Sequence, residues 1–196
     1  NAVCSNNAVT IEVHDRLRHM GGLNATLTTA QAVALTLNGI TADNMERRIG
    51  DANFSDVQWW AEWYADTGAT ASNATVTVTY NDGTTGNLTT FAAGGTIRAG
   101  RVIPLNQLIP AAASGKYIRS IDSVQLSAST AIAGNFGFTC TRPRLTMPLL
   151  LANKMEIFDW AQLGFPEIFN SSCLTIIELC STTFTGNVRG GGKIIH

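Results

Sequence analysis

The sequence predicts an all-β protein, an antiparallel β-sandwich or jelly-roll-like barrel of about eight strands. Three observations predict it. Residues 74–80 read Ala-Thr-Val-Thr-Val-Thr-Tyr, with apolar side chains on one parity and threonines on the other, as in a strand buried on one face. Asp82-Gly83 follows directly and can adopt the positive φ of a tight hairpin turn at little steric cost. The same alternation returns at Val124, Leu126 and Ala128 and again at Phe136, Phe138 and Cys140, without the intervening helical patterns of an α/β fold.

From the start of the chain, residues 1–7 are polar and read as an N-terminal arm. Val9, Ile11 and Val13 alternate with Thr10 and Glu12 as a first strand, and residues 14–25 read as a loop closed by Gly21-Gly22. Residues 26–41 mix Thr, Ala, Leu and Val and fit one or two weak strands or a short helix. Asp43 is placed to cap a helical turn, with Glu46 three residues on as its capping-box partner.

From 57 to 66 one parity carries Val57, Trp59, Ala61, Trp63 and Ala65, while the other carries Gln58, Trp60, Glu62, Tyr64 and Asp66. That is a strand with an apolar side for a core and an aromatic, acidic side elsewhere. A helix is the rival assignment, since Trp60 and Tyr64 also lie four apart. Residues 101–105 form a short strand ending at Pro104, which cannot donate to a ladder and suits a sheet edge. Residues 111–115 are a small-residue loop, and 118–128 and 132–141 are two further strands. Arg142-Pro143 breaks that ladder, after which Leu145, Met147 and Leu149 resume the alternation. Residues 153–169 gather Phe158, Trp160, Phe165 and Phe169 around Pro166 as an irregular loop or helical turn. Residues 173–180 are apolar on both parities apart from Thr175 and Glu178, as expected of a strand covered on both faces. Residues 186–196 form a glycine-rich C-terminal arm, so the chain reads as one β domain, 1–196, with an extension at each end.

Composition limits the function classes. Charged residues are 14% of the chain, against roughly 25% in a typical soluble domain. A chain this poor in charge, with a formal net charge of −1, has little to hold free copies apart, and much of its surface is expected to be covered by neighbours. The same near-zero charge argues against direct nucleic-acid binding, which needs a basic face to displace counterions from phosphates. The longest apolar runs fall well short of the ~20 residues of a membrane span.

Chemical constellations are sparse. His14-Asp15 and His19 invite a catalytic reading, but no local motif supplies a nucleophile and an orienting partner, and the better reading is of polar loop residues. Gly192-Lys193 fails the phosphate-loop pattern, because Asn187 stands where its first glycine belongs and Ile194 where Ser or Thr should hold magnesium. Cys4, Cys140, Cys173 and Cys180 lack metal-site spacing. They read as buried reduced thiols, with a bridge from Cys140 to Cys173 or Cys180 as the alternative. No cofactor, metal ligand set or catalytic residue is expected, and the protein does not read as an enzyme. Three tryptophans and a tyrosine within residues 59–64 suit either a sugar-stacking platform or a core with contact aromatics. The second is preferred, with Trp60 and Tyr64 at a subunit contact.

Three blocks resemble a family of tailed-bacteriophage virion proteins: VQWWAEWYADTGATASNATVTVTY from Val57, RVIPL from Arg101 and IRSIDSVQLSASTAIAGNFGFTCTRPRLTMPL from Ile118. The resemblance continues through Phe165-Pro166-Glu167-Ile168 and Ser172 to Ile177, and covers somewhat over half of the chain. Residues 43–53 look like an insertion, and the glycine-rich end departs from the pattern. The resemblance implies a head-associated structural protein of the capsid decoration or cement type. It would lie on the capsid surface of the virion, bind across junctions of the major capsid protein, and form a homo-oligomer, a trimer being the form such proteins suggest. The interface expected on this reading comprises Trp60 and Tyr64 with the two arms, Asn1, Ala2 and Val3 at one end and Arg189, Lys193, Ile194 and Ile195 at the other. A tail or surface carbohydrate-binding module is the alternative.

Overall fold

The structure, a computed structural model, describes residues 2–4, 9–38, 44–164, 167–180 and 188–190. Its strands are β1 (Ala2–Cys4), β2 (Val9–Leu23), β3 (Gln31–Thr36), β4 (Gln58–Ala65), β5 (Asn73–Tyr80) and β6 (Thr85–Asn87). They continue with β7 (Phe91–Ala92), β8 (Val102–Pro104), β9 (Ile118–Leu126), β10 (Asn135–Leu149), β11 (Leu174–Cys180) and β12 (Val188–Gly190). Two short helices, α1 (Asn44–Ile49) and α2 (Trp160–Leu163), interrupt them. The chain divides into two compact units. Residues 16–142 form the sandwich unit, and residues 1–15 with 143–196 form the terminal unit.

In the sandwich unit two antiparallel sheets pack face to face, one ordered β2-β10-β4-β8 and the other β3-β9-β5-β6, with β7 also paired to β5. The all-β sandwich read from the sequence is therefore correct. Its core follows from the alternation in β4, where Trp59, Ala61 and Trp63 register against Cys140, Phe138 and Phe136 of β10, and all six are buried. Trp63 stacks on Phe136 at 6.1 Å between ring centroids, and Phe91 meets Trp63 edge-on. Ala74, Val76, Val78 and Tyr80 of β5 supply the other sheet's inner face.

Local chemistry explains the turns and close approaches. After β5 the amide of Gly83 donates to Tyr80 O at 3.0 Å, and Tyr80 N donates to Thr84 O at 2.8 Å. Gly83 takes φ +86°, and the Asp82 carboxylate accepts from the Thr84 amide at 2.9 Å, so the Asp-Gly turn forms as expected. At Gly137 the β2 backbone comes so near that a Cβ would lie 1.9 Å from Met20 O. β9 turns Leu126, Val124, Ile121 and Ile118 inward, a spacing that period two alone does not give. Register shifts against β5 between Thr77 and Val78 and between Thr79 and Tyr80 insert the extra residues.

Several expected boundaries are corrected. β2 does not end at Val13; it runs to Leu23, and within the sandwich unit Leu17 and Leu23 bury while Arg16 and Arg18 turn outward. β10 likewise continues past Arg142 through Pro143 and Pro148 to Leu149. Its register with β4 ends at Thr141 opposite Gln58, so the missing Pro143 N–H removes no bond from that ladder. Residues 31–36 settle as strand and 44–49 as helix, while Asp43 lies outside the described residues.

The terminal unit holds β11 with the first residues of β2 and the last of β10. β11 pairs antiparallel with β2 from Leu174 opposite Asp15 to Cys180 opposite Val9, and β2 is followed by β10. Val9 and Ile11 pack with Leu149, Met147 and Phe158. α2 opens on a capping box, the Asp159 carboxylate accepting from Gln162 N at 2.8 Å while the Gln162 side-chain oxygen accepts from Asp159 N. It closes on Gly164 in the left-handed conformation.

Candidate interaction surfaces

Trp60, expected at a contact, is a core-like side chain only 3% exposed. Its indole N–H donates to Thr141 Oγ1 at 2.8 Å. Period two assigned Trp60 to the outward face correctly, but that face is covered around it, so the expectation that Trp60 meets a neighbour is corrected. Trp59 and Trp63 are buried on the inner side. No tryptophan of the 59–63 cluster is therefore open for a sugar to stack on.

Tyr64 is half-buried and laid flat. A Cβ at Gly21 would come within 3.0 Å of its ring, so the glycine of β2 makes room for the aromatic of β4. The Tyr64 hydroxyl donates to Glu62 Oε2 at 3.0 Å, Glu62 also receives Arg16 Nη2 at 3.2 and 3.3 Å, and His19 meets the Tyr64 ring edge-on. Burial, reinforced by the Glu62 charge, pushes the phenol above its ordinary range, so it stays a neutral donor. The group is a polar cluster whose members bond to one another rather than an open platform, with Arg16 Nε left buried without a hydrogen-bond partner.

Of the expected arm residues, Ala2 and Val3 lie in β1 and Arg189 in β12, and these strands pair antiparallel with each other, Val3 opposite Arg189 and Ala2 opposite Gly190. The backbone of the N-terminal arm is thus engaged by its own C-terminal segment, instead of extending singly toward a neighbour. Asn1, Lys193, Ile194 and Ile195 lie outside the described residues.

His14 and Asp15 are not loop residues; both are buried in β2, and as consecutive strand residues they leave opposite faces. His14 Nε2 lies 2.9 Å from Glu12 Oε2 on the same parity. Asp15 accepts from Ser172 Oγ at 3.1 Å, from Cys173 N at 3.0 Å and from Arg144 Nη2 at 3.5 Å. Arg144 in turn lies over the Phe169 ring. Ser172 is tied to the carboxylate while the imidazole leaves the other face of the strand, so the group ties strand ends together and lacks the base-to-nucleophile geometry of a hydrolase. Among the described residues no group of three or more His, Cys, Asp or Glu side chains could hold a metal ion.

Burial of His14 lowers its pKa below the ordinary 6.5, against the opposing effect of its hydrogen bond to the Glu12 carboxylate. A lowered histidine pKa means that the unfolded chain takes up the proton first. Stability of the terminal unit is therefore expected to be full above about pH 6.5 and to fall as pH drops from there toward the lowered value. Urea midpoints at pH 7 and pH 5, tracked on β2 and β11 by hydrogen exchange, measure this; equal midpoints contradict it.

The thiols divide. Cys140 is buried and its pKa is raised by desolvation, as expected of a small core group, whereas Cys173 and Cys180 are exposed, contrary to the expectation of burial. The same correction applies to all of β11. Only Ile177 is buried; Ile176 is 69% exposed and Leu174 and Leu179 are each 39% exposed. Leu150, Leu151, Met155 and Ile157 of the same unit are also exposed. In the sheet of this unit β11 is the edge strand, which leaves one row of its backbone groups without a strand alongside among the described residues. An exposed apolar edge of this kind is a feature that interaction surfaces and aggregation-prone strands share, and the double-parity apolarity of residues 173–180 was its signal in the sequence.

No protein-family model, curated protein or solved structure matches the chain. No helix among the described residues is long and apolar enough to cross a membrane.

Proposed function

We propose that the protein is a bacteriophage capsid decoration or cement protein, which binds across junctions of the major capsid protein and strengthens the shell by contact alone. The observation that carries the reading is the apolar edge strand β11, with Ile176, Leu174 and Leu179 open to solvent on a protein that has few charges to keep it apart from neighbours. The strand order supports it. Taken in chain order, β2 to β6 and β8 to β10 divide between the sheets as β2-β10-β4-β8 and β3-β9-β5-β6, a winding that fits the double Greek key of a jelly roll. That architecture recurs in viral capsid domains, though also in lectins. Contacts of modest apolar area, at ~25 cal/mol per Å², become large when repeated over a lattice, even after ordering costs.

The contact residues on this reading are those of β11, in place of Trp60. Particles made without the protein should release their DNA at a lower temperature, and added protein should restore it. I176K, at an exposed site, should fold yet fail to bind such particles. An unchanged release temperature, or wild-type binding by I176K, defeats the proposal. The carbohydrate-binding alternative retains only Tyr64 from its original platform, and no other observation favours it.

A further inference from the structure

We propose that copies of the protein associate with one another through one end of the sandwich unit, the end built from residues 24–30, 67–72, 92–97 and 127–134. This surface is separate from β11 and goes beyond the capsid reading. The loops form one hydrogen-bonded face. Ala25 N donates to Ala133 O at 2.6 Å and Thr130 N to Ala25 O at 3.0 Å. Ser72 Oγ donates to Ala128 O at 2.7 Å, and Thr96 N to Gly68 O at 2.9 Å. Gly68 and Gly94 have no room for a Cβ against Thr130 and Thr70, so the loops are locked together and lose little freedom on binding.

Its chemistry points to the partner. Residues 24–30, 67–72, 92–97 and 127–134 include no charged or aromatic side chain. Of the large apolar side chains exposed in the sandwich unit, Ile132 at 57% and Leu27 at 45%, both stand here, and Ala131 and Ala133 are exposed beside Ile132. The bordering charges are Asp66 and Arg98, which form an ion pair with each other, and the exposed Arg101. Connections leaving the other ends of these strands carry Asp51, Asp56, Asp82 and Lys116. A charge-free face is desolvated at least cost by another charge-free face, and a second copy supplies one at equal concentration. With a formal net charge of −1, long-range repulsion between copies is small. A glycan fits less well. The face offers no ring to stack on, and the Asn24 side-chain oxygen already accepts from Thr26 N and Thr26 Oγ1 while Gln31 bonds back to the Asn24 backbone.

Sedimentation velocity on the full chain tests the inference. Wild type should be oligomeric by about 100 μM, I132K and L27K should weaken association by about tenfold or more, and I176K should keep the wild-type mass. L27K serves as the second variant should I132K fail to fold. A wild type that is monomeric throughout, a folded I132K and L27K of wild-type mass, or dissociation by I176K alone overturns it. Binding of the monomer to a glycan array that I132K abolishes also overturns it, in favour of a sugar. Particle binding by monomeric I132K separates this surface from the capsid reading, which stands if binding persists.

Discussion

Asp15→Ala lowers stability by about 3–5 kcal/mol, the largest loss expected of any single polar substitution in the terminal unit. The carboxylate is fully buried and holds Arg144, whose side chain is 4% exposed, together with the Ser172 hydroxyl and the Cys173 amide. Deleting it strips a negative charge from beside a guanidinium that water barely reaches, and removes the acceptor of two further donors. Asp15→Leu combined with Arg144→Met should recover much of the loss, because buried ion pairs contribute little net stability over apolar groups of similar volume. Urea denaturation followed by circular dichroism decides. A loss below about 1 kcal/mol for Asp15→Ala would mean that this carboxylate is dispensable to the fold.

Trp63→Ala is expected to cost about 3–5 kcal/mol in the sandwich unit, through the cavity left between Phe136 and Phe91. Trp63→Phe separates volume from polarity. The indole N–H of Trp63 is buried without a hydrogen-bond partner, a penalty of about 1–3 kcal/mol that phenylalanine removes while keeping most of the ring contact. Trp63→Phe should therefore cost under about 1.5 kcal/mol. A loss for Trp63→Phe well above about 1.5 kcal/mol would show that relief of the unpaired N–H does not offset the lost ring volume.

Much of the sandwich was legible in residue order. The parity of Val57, Trp59, Ala61 and Trp63, the threonine-faced strand 73–80 and the Asp-Gly turn all appear where local chemistry puts them, because alternation and positive φ are properties of neighbouring residues. The end of β2 was hidden. Gly21-Gly22 reads as a loop when seen alone, yet Gly21 accommodates the Tyr64 ring, and Gly137 lies against the neighbouring backbone. A strand uses a glycine to admit a neighbour as readily as a loop uses one to turn, and only the neighbour distinguishes them.

The candidate site was less legible for the same kind of reason. Sequence by itself determined the fold class, the inward and outward sides of β4 and β5, the core aromatics of β4 and the shortage of charge. Tertiary structure alone decided that Trp60 is covered, that Asp15 and His14 are buried, that Ile176 is open and that four stretches without charged side chains meet at one end. Period two reports which side chains share a face; whether that face is roofed depends on segments far away in the chain, which alternation does not encode.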